Sequence, residues 1–209
     1  MIAIVDYGIG NLGSVTKGFR HAGAETVLTG DPAVLAAADA LVLPGDGAFA
    51  AAMAELRDRG LVEVLLTASR RGTPLLGICI GMQLLFDESE EHGRHAGLGL
   101  LPGRVRRFGG SLVVPHMGWN ELAFRRPHVL FDGLAAGSYV YFVHSYLCEP
   151  AQASDVLATS DYGSDFAAVV GRDNVLGVQF HPEKSQSVGL RMVENFVRFA
   201  AERAPGRAA

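Results

Sequence analysis

This 209-residue chain reads as an α/β protein: a mostly parallel central sheet flanked by helices, with an added antiparallel portion. Three observations predict it. The first half alternates short apolar runs with helical segments, the pattern of βα units that build a parallel sheet. From Gly97 onward the texture changes to short β-like stretches, two of them joined as a hairpin. The last segment, 186–202, carries an apolar stripe at helical spacing that would cover one sheet face.

Residues 2–5 form the first strand, and a helix over 12–22 is closed by Gly23. Strands follow at 26–28 and 40–43, the second running into the glycine-rich loop Pro44-Gly45-Asp46-Gly47. The alanine- and leucine-rich stretches 48–59 and 61–71 end at Gly60 and Gly72, and read as two helices or one broken helix. A fully buried strand occupies 74–78. Strand-like stretches then lie at 104–108, 112–114, 139–144 and 156–159, and 166–170 pairs with 175–180 through Gly171-Arg172-Asp173-Asn174. In the terminal helix the stripe is Val188, Met192, Val193, Phe196, Val197 and Ala200. No repeat or linker interrupts the chain, so one domain is expected over 1–203, with a frayed tail over 204–209.

Hydrophobic residues make up 49% and charged ones 19%, which describes a well-buried globular chain rather than a disordered one. The net charge is −4, and the pairs Arg70/Arg71, Arg106/Arg107 and Arg125/Arg126 are scattered, so a nucleic-acid partner has no electrostatic footprint. No apolar run approaches the roughly 20 residues of a membrane span, and Met1 leads straight into a strand without a charged leader. The cytoplasm is the expected compartment. Cys79 and Cys148 are too few for a disulfide framework or a cysteine-rich zinc site, and Cys148 reads as a buried small hydrophobe.

The chemistry sits where strands end. Gly77-Ile78-Cys79-Ile80-Gly81 places a cysteine between glycines at a strand-to-helix turn. A free thiol, with a pKa of about 8.5, is only a few per cent ionised at neutral pH, and a helix N-terminus, a cation or a base activates it. Here the turn turns the sulfur outward and the helix directs its positive end at it, while glycines spare the Cβ atoms that would collide. Further on, Val178-Gln179-Phe180-His181-Pro182-Glu183 delivers a base and a carboxylate. On an extended strand Glu183 shares a face with His181 and would fix its tautomer, although Pro182 suggests the strand is ending. A tetrahedral intermediate needs amide donors, which Gly45 in its loop and the N–H of Ile80 could supply. A Gly-x-Cys-x-Gly alone also fits a tight turn around a buried thiol, and His-Pro-Glu alone fits a strand-ending turn. Their joint occurrence points to acyl transfer.

Gly77-Ile78-Cys79-Ile80-Gly81-Met82-Gln83 together with His181-Pro182-Glu183 resembles the class I, triad-type glutamine amidotransferases. Asp6-Tyr7-Gly8-Ile9-Gly10-Asn11, Leu43-Pro44-Gly45, Pro115-His116-Met117-Gly118-Trp119-Asn120, Tyr141-Phe142-Val143-His144-Ser145-Tyr146 and His181-Pro182-Glu183-Lys184-Ser185 look like the glutaminase subunits of imidazole glycerol phosphate synthases. The resemblance implies the class I amidotransferase fold, with Cys79 as nucleophile, His181 as general base and acid, and Glu183 as orienting carboxylate. It implies that Gln83 and Glu91 hold glutamine, that the Ser145-Tyr146 backbone grips its amino-acid end, and that Gly45 belongs to the oxyanion strand. Tyr7, Asn11, Trp119, Asn120, Tyr141 and Lys184 are expected toward a partner and the ammonia exit, although Trp119 and Tyr141 also read as core residues. The implied partner is a (β/α)8 cyclase, in a heterodimer that takes ammonia from glutamine for histidine biosynthesis. Asp46 departs from the family, which usually shows an apolar residue there; its carboxylate should face solvent or pair with a basic group.

Two other readings compete. Gly8-Ile9-Gly10-Asn11-Leu12-Gly13 is a literal G-x-G-x-x-G between strand and helix, and Asp31 could serve as the ribose-binding acid of an NAD-dependent oxidoreductase. Asp6 beside the proposed cradle opposes a pyrophosphate, and that reading leaves Cys79, His181 and Glu183 idle. A glutaminase serving a pyridoxal phosphate or anthranilate synthase is the nearer rival, separated only by the blocks around Tyr7 and Trp119. No cofactor or metal is implied, since His116, His144 and His181 lack ligand spacing.

Overall fold

The structure is a computed structural model that describes residues 1–203; the expected tail at 204–209 lies outside the described residues. β1 (Ile2–Val5), α1 (Leu12–His21), β2 (Thr26–Thr29), α2 (Pro32–Ala37), β3 (Ala40–Leu43), α3 (Phe49–Asp58), α4 (Leu61–Arg70) and β4 (Leu75–Ile78) follow the βα alternation. Local chemistry sets their ends. The Asn11 side chain accepts from Ser14 N at 3.3 Å to start α1, and Gly60 at φ 68 separates α3 from α4 into two helices. Helix α2 was not among the expected elements, yet its signal is in the sequence: Asp31 accepts from Ala33 N at 2.8 Å, and Pro32 fills the first turn.

Beyond β4 come α5 (Ile80–Leu84), β5 (Phe86–Ser89), β6 (His95–Ala96), β7 (Leu101–Arg107), β8 (His116–Glu121), β9 (Ala123–Phe124), β10 (Tyr139–His144), β11 (Tyr146–Pro150), β12 (Val156–Asp161), β13 (Asp165–Arg172), β14 (Val175–Val178) and α6 (Gln186–Arg203). The main sheet has the order β2-β1-β3-β4-β14-β13-β12-β9. Pairing is parallel from β2 through β14 and antiparallel from there to β9. The expected hairpin is β13–β14, where Arg172 pairs with Val175 around Asp173 at φ 53. Strands β1, β3, β4 and β14 are buried along their whole length, as strands covered on both faces must be. In α6 the Phe196 ring meets Phe19 of α1 edge-on, with centroids 6.0 Å apart.

Two smaller sheets follow, β10-β8 and β11-β7-β5-β6, antiparallel except for the parallel pair β5–β7. Residues 112–114 are not a strand, because Pro115 cannot donate to a ladder; pairing starts at His116 instead. Strand β8 escapes hydrophobic alternation because its pattern is inverted: His116 is buried while Met117 and Trp119 face outward. Register Val178 to Ile78 in the parallel pair β14–β4 brings the residues after both strands to one carboxyl edge, where the sheet changes sense. That is the position at which open α/β sheets bind ligands.

Candidate active site

Cys79 joins β4 to α5 with φ 56 and ψ −113, a conformation that costs a β-carbon residue about 1–3 kcal/mol and is held by its surroundings. Its N–H donates to Val178 O at 2.8 Å, and its carbonyl accepts from Met82 N at 3.0 Å and Gln83 N at 3.2 Å. A Cβ on Gly77 would stand 2.5 Å from the Gly81 carbonyl oxygen, and one on Gly81 would overlap the Leu43 carbonyl oxygen. The glycines around the cysteine therefore serve the close packing of β3, β4 and α5, as well as the turn.

His181 lies across the junction. Its Nδ1 is 2.8 Å from Glu183 Oε1, and the two side chains are 7% and 3% exposed. The pairing does not come from strand alternation, because β14 ends at Val178; the 3-10 turn Pro182–Lys184 folds Glu183 back onto the ring. Burial opposes a charge on His181, but hydrogen bonds to Cys79 and Glu183, and the charges of both, outweigh it and push the imidazole up to about 10. The raised imidazole is a cation held between the Cys79 sulfur and the Glu183 carboxyl group. Backbone contacts hold the ring in place: His181 N donates to Tyr141 O at 3.0 Å, and Ser185 Oγ donates to His181 O at 2.6 Å.

Gly45 packs so tightly that a Cβ there would lie 2.8 Å from Gly81 N and 2.9 Å from the Tyr7 hydroxyl. Ile80 opens α5 beside it, so its amide is one of those without an intrahelical partner. Tyr7 corrects an expectation, because it is fully buried and has no surface to offer a partner. Its hydroxyl donates to Pro44 O at 2.7 Å and anchors the Gly45 loop, and burial, with the charges of Cys79 and Asp46, holds the phenol well above its ordinary value. The exposed Asp46 carboxylate accepts from Gly47 N at 2.8 Å. The remaining partner candidates reach the surface to different degrees: Asn11 and Lys184 are exposed, Trp119 is 45% exposed with Tyr141 edge-on to it at 6.0 Å, and Asn120 is half-buried. Exposure removes the core reading of Trp119.

A cavity of about 340 Å³ brings together Cys79, Ile80, Gln83, Glu91, Ser145 and Tyr146, with Asp46 and His144 on its wall. Glu91 Oε2 accepts from Phe49 N at 2.6 Å, so this carboxylate starts α3 as well as lining the pocket. Among the described residues, Gln83 Oε1 and Glu183 Oε2 are buried acceptors without a hydrogen-bond partner. Gln179 was not among the candidates. Fully buried after β14, it donates from Nε2 to Cys79 Sγ at 3.9 Å and accepts from Gln83 Nε2 at 3.1 Å. Its place in an apolar run before His181 was the available signal. A larger open groove of about 880 Å³ lies over β7, β11 and β13, but its charges are paired with one another: Arg104 and Arg106 with Glu149, and Arg94 with Glu88. The dinucleotide reading fails on its own loop, where Gly8 N donates to Asp6 Oδ1 at 3.1 Å and Asp31 is spent on capping α2.

A family model described as glutamine amidotransferase class-I matches residues 3–199. The imidazole glycerol phosphate synthase subunit HisH of Syntrophotalea carbinolica is 56% identical over 203 residues, covering 94% of this chain and 98% of the relative. The subunit of the same name from Gloeobacter violaceus is 53% identical over 212 residues, covering 100% of this chain and 93% of the relative. A crystal structure of a glutamine amidotransferase superposes with a TM-score of 0.75 at 22% identity, covering 96% of this chain and 98% of that one. The glutaminase domain of Trypanosoma brucei CTPS, with bound acivicin, superposes at 0.70 and 18% identity, covering 97% and 94%. These two structures speak for the fold alone.

Proposed function

The chain belongs to the class I glutamine amidotransferase family, and within it to the imidazole glycerol phosphate synthase subunit HisH branch, and on that premise we propose how it hydrolyses L-glutamine to glutamate and ammonia. The Cys79 thiolate attacks the side-chain amide carbon, and the developing oxyanion takes N–H groups from Ile80 and the Gly45 loop. His181, protonated at rest, gives its proton to the leaving nitrogen, so ammonia departs and a glutamyl-thioester remains on Cys79. The ring, now neutral, takes a proton from water; hydroxide attacks the thioester, and glutamate leaves as the thiolate and imidazolium re-form. Glu183 keeps Nδ1 protonated and oriented throughout. Gln83 and Glu91, with the Ser145-Tyr146 backbone, hold the substrate. The carrying observation is the buried line Cys79, His181, Glu183 with its imidazole at about 10.

Residues 1–203 act as the glutaminase domain. The ammonia passes to a (β/α)8 cyclase partner that makes imidazole glycerol phosphate in histidine biosynthesis. This is supported by identities of 56% and 53% to subunits of that synthase, and by the exposed Met117, Trp119 and Tyr139 on the β8–β10 sheet. These identities favour that synthase over one making pyridoxal phosphate or anthranilate. No described helix is long and apolar enough to cross a membrane, and we assign the complex to the cytoplasm. The test is Cys79→Ala in the reconstituted complex: glutamine-dependent turnover is lost and ammonium-dependent turnover persists. Retained glutamine turnover would refute the assignment.

A further inference from the structure

Gln83, Gln179 and a buried histidine pair form one hydrogen-bond chain with a single allowed polarity. The fixed point is the Tyr146 carbonyl, which can only accept. It lies 2.7 Å from His144 Nδ1 and 3.3 Å from Gln83 Nε2, so the first atom carries a hydrogen and the second is the amide nitrogen. Neutral His144 then presents a bare Nε2, which accepts from His116 Nδ1 at 3.2 Å. The bare Nε2 of His116 faces Asn120 Nδ2 at 3.4 Å, and the same amide nitrogen donates to Asp161 O at 2.6 Å. On the other side, Gln83 Nε2 also donates to Gln179 Oε1 at 3.1 Å, which leaves Gln179 Nε2 for Cys79 Sγ at 3.9 Å. Flipping either glutamine amide would set donor against donor or acceptor against acceptor, and flipping either imidazole would put carbon where a nitrogen now bonds.

We propose that Gln179 is a positioning residue: its N–H holds the Cys79 sulfur and its amide oxygen holds Gln83, whose polarity the Tyr146 carbonyl fixes while His144 and His116 hold that carbonyl in place. Gln83 lines the pocket, and its Oε1, sealed in this structure, has no partner among the described residues; a bound amide substrate that draws the side chain outward supplies it with an N–H. That last contact rests on the glutaminase reading; the contact with sulfur does not.

The full-length chain serves for the thiol measurement and the reconstituted complex for turnover. Gln179→Met removes both of Gln179's bonds without adding charge, and Gln179→Glu keeps only the acceptor for Gln83. His144→Leu removes the donor to Tyr146, and His144→Asn retains one. Tyr7, His181 and Cys148, whose charges couple to the sulfur, and Asp46, Glu91, His92 and Arg107 of its pocket are unchanged in all four. The pH midpoint of Cys79 alkylation by iodoacetamide, corrected with Cys79→Ala for Cys148, should rise by about one unit in Gln179→Met, the loss expected for one hydrogen bond to a charged group. The KM for glutamine should rise about tenfold in Gln179→Met and His144→Leu, and stay within about twofold in Gln179→Glu and His144→Asn. An unmoved midpoint in Gln179→Met overturns the proposal, as does an unmoved KM in both Gln179→Met and His144→Leu. If Gln179→Met does not fold, Gln179→Glu decides, since it too lacks the N–H and an unmoved midpoint there is equally fatal. Should the wild-type chain prove not to hydrolyse glutamine, the midpoint still reads the sulfur contact by itself.

Discussion

Glu183→Gln is the sharpest perturbation of the site, because it removes one charge and little volume. Glu183 Oε1 lies 2.8 Å from His181 Nδ1, with both side chains almost sealed from water. A buried hydrogen bond to a charged group contributes about 1.5–3 kcal/mol. At 1.36 kcal/mol per tenfold, that share of the imidazole's elevation is about one to two pH units. The sign follows from the protonated ring being the working form. His181 is pushed up to about 10, so the proton donor is present below that pH and is lost as pH rises through it. The kcat/KM profile of the wild-type complex for glutamine should therefore fall on its basic side near pH 10, the value pushed up at His181. In Glu183→Gln that limb should move down by about one to two pH units, so kcat/KM at pH 10 should drop about five- to fiftyfold relative to wild type, and at pH 8 by no more than about twofold. The assay is glutamate release across pH, with ammonium-dependent turnover of the same complex as the control. A basic limb that stays in place in Glu183→Gln would refute the claim that this carboxylate sustains the imidazolium.

Gly81→Ala drives a methyl group into the Leu43 carbonyl; because that contact is backbone, the melting temperature should fall by several degrees, for a cost of about 2 kcal/mol or more, and a wild-type melt would contradict the packing account. Asp46→Val frees Gly47 N from its carboxylate and takes a negative charge away from the oxyanion loop, so glutamate release by the isolated chain should rise severalfold; an unchanged or lower rate would count against Asp46 as a restraint. Trp119→Ala should leave the melt of the isolated chain unchanged while weakening cyclase binding about tenfold or more by calorimetry, and unaltered binding would remove the β8 face from the interface.

The reactive residues were legible because their chemistry constrains the sequence locally. Cys79 needs small neighbours on both sides, and His181-Pro182-Glu183 is a self-contained turn, so each announces itself within a few positions. The parallel sheet was legible for a related reason: strands buried on both faces are unbroken apolar runs. What the sequence hid is set by tertiary contacts. Tyr7 lies next to glycines in a motif that looks like a surface loop, and only the fold shows its hydroxyl holding Pro44. Strand β8 buries a histidine and exposes a tryptophan, the reverse of what alternation expects. Strand β5 carries Asp87 and Glu88, the latter paired with Arg94 just before β6, so it reads as a solvent loop, while β7 reads as a strand only from Arg104 on. Gln179 sits inside an apolar run, and its meaning depends on Gln83 and Cys79, the latter 100 residues away.

The topology divides the labour of the site. Reactivity comes from the main sheet, where β4 and β14 are parallel neighbours and release Cys79 and His181 at one edge. In the proposed mechanism, binding comes from the segment threaded between those strands, since Glu91, His144, Ser145 and Tyr146, which line the pocket, all lie on chain that leaves after β4 and returns at β14. The same segment carries the exposed Trp119 on β8, paired in register with Tyr141 of β10, which runs directly into His144 and Ser145. The β8–β10 ladder therefore connects the exposed Trp119 with the pocket wall. Tyr141 O also accepts from His181 N, so the general acid is tied to that ladder by its own backbone. A site built this way keeps its nucleophile fixed on the rigid sheet and leaves its substrate-binding wall on the strands that a partner can touch.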